Sequence, residues 1–143
     1  MIESAFWDAS AIIPLCAETQ ASRIADKLFQ QHEMFIWWGT PVEVRSALAR
    51  LLRMGQLTTA RLSKSLDCVD DLNRHWQEIE PSISLRAFAE ELPQRYGLRA
   101  ADALQIAAAS TWTMHRPANR RFVSGDQKLL DAARKMGFHA IAV

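Results

Sequence analysis

Short apolar runs alternate along this chain with longer stretches whose apolar residues recur every three or four positions. That alternation predicts strands and amphipathic helices in turn. "SAFWD" is a first strand, followed by a helix from about Ala9 and a second through "SRIADKLFQQH"; "MFIWWG" is the second strand. "TPVEVRSALARLLRMG" carries its own helix boundaries: Thr40 as N-cap, Pro41 at the first helical position and Gly55 as the stop. Val44, Leu48, Leu51 and Leu52 form its apolar stripe. Residues 58–79 read as one or two further helices, and "SIS" as a short third strand. "LRAFAEELPQRYG" and "RAADALQIAAASTWTM" are two helices parted near Gly97, "RRFVS" is a fourth strand, "DQKLLDAARKMG" a helix and "FHAIAV" a closing strand. The order β-α-α-β-α-α-β-α-α-β-α-β predicts an α/β layer fold with a mostly parallel sheet. No repeat or Gly/Ser-rich linker divides residues 1–143, so one domain is expected.

In open parallel sheets ligands bind beyond the carboxyl ends of the strands, so the residues following each strand carry the chemistry. Four acids fall there: Asp8 after the first strand, Glu43 in the helix after the second, Asp102 early in the long apolar helix, and Asp126 after the fourth strand. Each has an ordinary explanation when taken alone. Asp8 and Asp126 suit N-caps, and Glu43 completes a T-x-x-E capping box with Thr40. Asp102 is harder to dismiss, because it is the only charge from Ala100 to Met114. Its one local cation is Arg99, three residues earlier, so an Asp102–Arg99 pair is the structural alternative to a metal. Carboxylates gathered at one sheet edge repel one another unless a divalent cation neutralises them. An all-oxygen donor set selects Mg²⁺ or Mn²⁺, which can activate water against a phosphodiester.

Composition changes this picture little. With 17 Lys+Arg against 16 Asp+Glu, net charge neither demands nor excludes nucleic acid. Two arginine groups (Arg45, Arg50, Arg53; Arg116, Arg120, Arg121) fit a basic rim around an acidic site. Cys16 and Cys68 lack metal-ligand or redox-motif spacing and read as buried reduced thiols. The four histidines show no ligand spacing. Of the adjacent Trp37 and Trp38, one should be core and the other rim, while Trp7 and Trp112 read as core. Acids at positions 3, 8 and 18 interrupt the N-terminal apolar stretch, and no run approaches a membrane span. The expectation is a cytoplasmic protein with no membrane partner.

Four segments in order resemble the PIN-domain ribonucleases, and within them the VapC-type toxins of toxin–antitoxin pairs. "FWDASAIIPLCAET" resembles the family's opening strand and D-x-S turn, and "TPVEVRSALAR" its second acidic motif. "GLRAADALQIAAA" resembles its third and "RFVSGDQKLLDAARKMGF" its fourth. The resemblance implies a PIN-like three-layer α/β/α sandwich around a central, mostly parallel sheet of four to five strands. It also implies Mg²⁺- or Mn²⁺-dependent endonucleolytic cleavage of RNA, a homodimer, and inhibition by a cognate antitoxin. The family's metal-binding acids fall on Asp8, Glu43, Asp102 and Asp126, and its hydroxyls near the site on Ser10 and Ser124. Asp8, Asp102 and Asp126 would hold the metal, with Glu43 completing the site or orienting water. Arg99 and Arg45 are candidate contacts to the RNA backbone. Where many relatives carry a further acid, Gln127 and Lys128 follow Asp126 here, and Asp131 is expected to face solvent.

Two other readings fit the same residues. An aspartate-based phosphotransferase would use Asp8 as nucleophile, but the second Asp such enzymes place two residues on is Ser10 here. A PIN-like module that binds RNA or a partner without catalysis would leave the acids as helix caps.

Overall fold

A computed structural model describes residues 2–143. The elements are β1 (Glu3–Trp7), α1 (Ala9–Cys16), α2 (Ser22–Gln31), β2 (His32–Trp37), α3 (Thr40–Arg53) and α4 (Thr59–Asn73). There follow β3 (Gln77–Ile79), α5 (Ile83–Tyr96), α6 (Ala100–Trp112), β4 (Arg121–Ser124), α7 (Gln127–Met136) and β5 (His139–Ala142). The order of elements is the one the periodicity predicts. All neighbouring strands pair in parallel, in the order β3-β2-β1-β4-β5. The sheet therefore has five strands and is wholly parallel.

Strands covered on both faces should be apolar, and the last three residues of β1 meet that condition. Ala5, Phe6 and Trp7 are each 0% exposed. Alternate residues feed opposite layers, as a pleated strand requires. Phe6, Trp37 and Phe122 pack with Leu92, Ile106 and Leu129 beneath α5, α6 and α7. Ala5, Trp7, Ile36 and Val123 pack on the other face with Ile12, Val44, Leu48 and Val69 from α1, α3 and α4. The first layer holds an aromatic stack in which Phe6 lies 5.7 Å from Phe122 and 6.2 Å from Trp112. Trp37 is buried and Trp38 is 55% exposed, which divides the tryptophan pair between core and rim. Among the described residues no helix is long and apolar enough to cross a membrane.

Two local expectations are corrected. The third strand is Gln77–Ile79, inside the 58–79 stretch read as helical and not at "SIS", and Ser82 instead caps α5 by accepting the Leu85 N–H at 3.0 Å. β3 is an edge strand with exposed Gln77 and Glu78, so it has no apolar alternation to announce it. The second correction concerns Thr40, which is the first helical residue of α3 and not its N-cap. Gly39 takes the cap position without any side-chain hydrogen bond. A Cβ on Gly39 would come within 2.6 Å of the Trp37 indole nitrogen, so the buried ring demands glycine there. Gly55, at φ +73°, follows the last turn of α3 as expected.

Cys16 and Cys68, far apart in the sequence, meet where α1 packs on α4. Both are free and half-buried, and the Cys68 thiol donates to the Leu15 carbonyl at 3.4 Å. Burial, and then contact with the Cys68 thiol, pushes the Cys16 pKa up.

Candidate active site

The chain leaves β1 for strands on one side and returns to β4 on the other, so the sheet's topological switch lies between β1 and β4. A crevice outside their carboxyl ends follows from that topology. Asp8 and Asp126 are the residues at its two lips. Trp7 pairs with Val123, and the Asp8 N–H continues the ladder to the Val123 carbonyl at 3.2 Å.

Asp8 caps α1 in extended backbone conformation and is only 4% exposed. Its Oδ2 accepts the Ser10 N–H at 3.1 Å and its Oδ1 accepts the Ser10 hydroxyl at 2.8 Å. Ser10 Oγ also accepts the Gly125 N–H at 2.8 Å and lies 3.3 Å from Ser124 Oγ. Ser124 Oγ accepts the Asp126 N–H at 2.9 Å. These two hydroxyls tie the start of α1 to the turn before α7. Asp126 caps α7, its Oδ1 accepting N–H groups from Lys128 (2.8 Å) and Leu129 (3.2 Å). Both capping expectations hold, and neither excludes a second role for the same carboxylates.

Glu43 and Asp102 enter from helix starts in opposite layers. Each lies in the first turn of its helix, α3 and α6 respectively. The capping box expected between Thr40 and Glu43 does not form. Both side chains instead accept from Gln105 Nε2, Thr40 Oγ1 at 2.9 Å and Glu43 Oε1 at 3.1 Å. Gln105 is fully buried and its Oε1 has no protein partner. The sequence reading missed Gln105. Its signal was available: it lies one turn after Asp102 on a helix otherwise built of Ala, Leu and Ile at that point.

The electrostatics show four uncompensated acids. None forms an ion pair with Lys, Arg or His among the described residues. Burial pushes the Asp8 carboxyl up to about 6 against the hydrogen bonds from Ser10 and Ser124, and the Asp126 charge adds to the rise. Burial also pushes Glu43 up to about 7; Gln105 opposes this, while the charges of Asp8 and Asp102 reinforce it. Asp102 is raised by burial and then by Asp126, with Arg99 and Lys128 holding it down in part. The Arg99–Asp102 alternative is thus a through-space influence and not a closed ion pair. Helix starts favour anions, and four of them carry these four acids.

The donor set suits a hard divalent cation: carboxylates only, none in an ion pair, with Asp8, Glu43 and Asp102 raised toward the protonated form chiefly by burial. Their arrangement is open. Among the described residues no three Asp, Glu, His or Cys side chains are drawn in closely enough to hold an ion as they stand.

No protein-family model and no curated relative matches the sequence. Solved structures do match. PAE2754 from Pyrobaculum aerophilum superposes with a TM-score of 0.68 at 19% identity, over 100% of this chain and 91% of that one. VapBC2 from Rickettsia felis, solved bound to a DNA fragment from its promoter, gives 0.65 at 11% identity over 99% of both chains. A toxin–antitoxin complex from Klebsiella pneumoniae gives 0.55 at 20% identity, over 87% of this chain and 88% of that one. The chain has a PIN-like fold.

Within this PIN-like frame the remaining candidates separate. Arg99 is exposed at the start of α6 and acts on Asp102 through space. Arg45 is turned away from the acids and pairs with Asp70 of α4 at 2.7 Å. Asp131 faces solvent as expected, accepting from the Gln127 amide at 2.8 Å. Gln105→Leu is expected to cost about 1–2 kcal/mol in urea unfolding, because the Thr40 hydroxyl is left buried without a partner. The same change should raise Glu43 further, since the Gln105 hydrogen bond is what holds it down. Carboxyl NMR titration of Glu43 checks the second effect.

Proposed function

We propose that this chain is a Mg²⁺- or Mn²⁺-dependent endoribonuclease, and the toxin of a toxin–antitoxin pair. One observation carries the reading: four carboxylates without ion-pair partners surround the switch-point crevice of a PIN-like fold. Asp8, Asp102 and Asp126 would hold the metal, with Glu43 beside them. When bound, the cation supplies charge for a phosphate oxygen and acidifies a water. Glu43, held by the Gln105 amide, would take a proton from the attacking water. The new bond joins the water oxygen to phosphorus, the bridging P–O bond breaks, and the departing oxygen takes up a proton. Ser10 and Ser124 fix the Asp8 carboxylate and the turn carrying Asp126, which keeps the two lips of the crevice in register.

The partner side of the proposal is a cognate antitoxin and a homodimer. Two of the matching structures are of toxin–antitoxin proteins, which supports the antitoxin and leaves the dimer to be measured by sedimentation. A phosphotransferase reading sits less well with the residues, because Ser10 stands where such enzymes place a second acid two residues after the nucleophile.

Asp102→Asn tests the enzyme. Asp102 makes no cap, so the substitution removes charge from the site while leaving the fold intact. Cleavage of total RNA with Mn²⁺ is expected to fall at least about a hundredfold, or about 2.7 kcal/mol of barrier. Unchanged cleavage by a folded Asp102→Asn protein would sink the site as described.

A further inference from the structure

The arginines grouped along α3 divide sharply by partner. Arg45 is spent on Asp70, whereas Arg50 and Arg53 are exposed and form no ion pair among the described residues. A hollow of about 480 Å³ opens on their side of the helix, lined by Val42, Glu43, Ser46, Ala47, Arg50 and Arg53. These residues recur at helical spacing, so they form one face. Glu43, whose carboxylate reaches into the acidic site, stands at one end, and the guanidinium groups stand at the other. At 1.5 Å per residue they lie about 10 Å and 15 Å from Glu43 along the axis. The residues between are Ser46 and Ala47, small enough to let a strand approach the helix closely.

We infer that this face of α3 is the track on which the RNA strand lies, with backbone phosphates on Arg50 and Arg53 as it runs into the site at Glu43. The inference rests on the ribonuclease reading and adds a substrate-binding surface to it. The chemistry is that of a polyanion. Guanidinium groups grip phosphate oxygens in a two-pronged geometry, and phosphate contacts set register without reading sequence. An ordinary role competes: cations in the last turn of a helix complement its dipole. That role predicts lost stability, while the track predicts lost binding.

The test measures a fluorescein-labelled single-stranded RNA of mixed sequence by anisotropy, and its cleavage with Mn²⁺. Arg50→Gln/Arg53→Gln is compared with the unaltered protein and with Arg74→Gln, an arginine already paired with Asp71. For the double variant, KM is expected to rise at least about fivefold with kcat within about twofold, since the groups bind and do not react. Two lost single-strand phosphate contacts should flatten the slope of log affinity against log salt by about 1.4. Arg50→Lys/Arg53→Lys should restore most of that slope, which a misfolded protein would not show. Unchanged KM and slope, or a drop in melting temperature with binding intact, overturns the track. Two failures remain distinguishable. RNA cleavage that ignores the double substitution removes only the track. RNA binding of full salt dependence without cleavage by the unaltered protein removes the ribonuclease reading and leaves the track.

Discussion

Asp8→Asn is expected to abolish RNA cleavage and, in the same protein, to make the metal-free fold harder to unfold. The loss of rate should be at least about a thousandfold, or about 4 kcal/mol of barrier, because Asp8 is the most buried of the four acids at the switch point. The gain in stability comes from the same burial. With its carboxyl pushed from 3.8 to about 6, ionised Asp8 burdens the fold by up to about 3 kcal/mol at about pH 7.5. Asparagine removes that charge and keeps an oxygen for the Ser10 N–H, so the cap survives. If Asp8 were only a cap, Asp8→Asn would leave activity unchanged and move stability by a few tenths of a kcal/mol. Initial rates with Mn²⁺ and urea unfolding at about pH 7.5 separate the two outcomes. Opposite signs for rate and stability mark a residue whose charge serves function at the expense of the fold.

The metal-free protein should also lose stability as pH rises through the acidic range. Folded Asp8 and Glu43 hold their protons to about 6 and about 7, against 3.8 and 4.5 for ordinary carboxyl groups. Between those limits the native state binds more protons than the unfolded chain, so the slope of stability against pH is negative. Stability is fully present below about pH 4 and falls until about pH 7. Asp8 alone accounts for about 3 kcal/mol of the fall, and Glu43 and Asp102 act in the same direction. A divalent cation should reverse it at neutral pH. At one hundred times its dissociation constant, Mn²⁺ would return about 2.7 kcal/mol. Urea unfolding at about pH 4.5, 6 and 7.5, with and without Mn²⁺, reads both effects. A flat profile that ignores the metal would mean that the acids are not gathered as described.

The elements that could be read from sequence are those that bury an apolar face. β1, β2 and β4 each carry an apolar run after a polar first residue or two, because helices cover both sides of them there, and α3 and α7 carry clear stripes. β3 escaped because it is a polar edge strand whose existence depends on pairing with β2. Thr40 misled because T-x-x-E describes a local cap, while Gln105, 65 residues away, takes both side chains. No local pattern contains that contact. The four acids were legible because each follows a strand or opens a helix, positions that sequence punctuation marks. Arg45 could not be sorted from Arg50 and Arg53 without α4 beside α3, since only packing brings Asp70 to it.

β1 is the earliest strand along the chain and the middle strand of the sheet, and its partner β4 begins only at Arg121. Ser10 likewise waits for the Gly125 N–H, 115 positions later. A ribosome making this protein therefore delivers Asp8, Glu43 and Asp102 well before anything can close the crevice. During that interval one side of the central strand is bare and the Asp8 N–H lacks its Val123 acceptor. A nascent chain carries most of the acids and no assembled site. On the ribonuclease reading, it is harmless to the message from which it is being translated until residues 121–126 have emerged and docked.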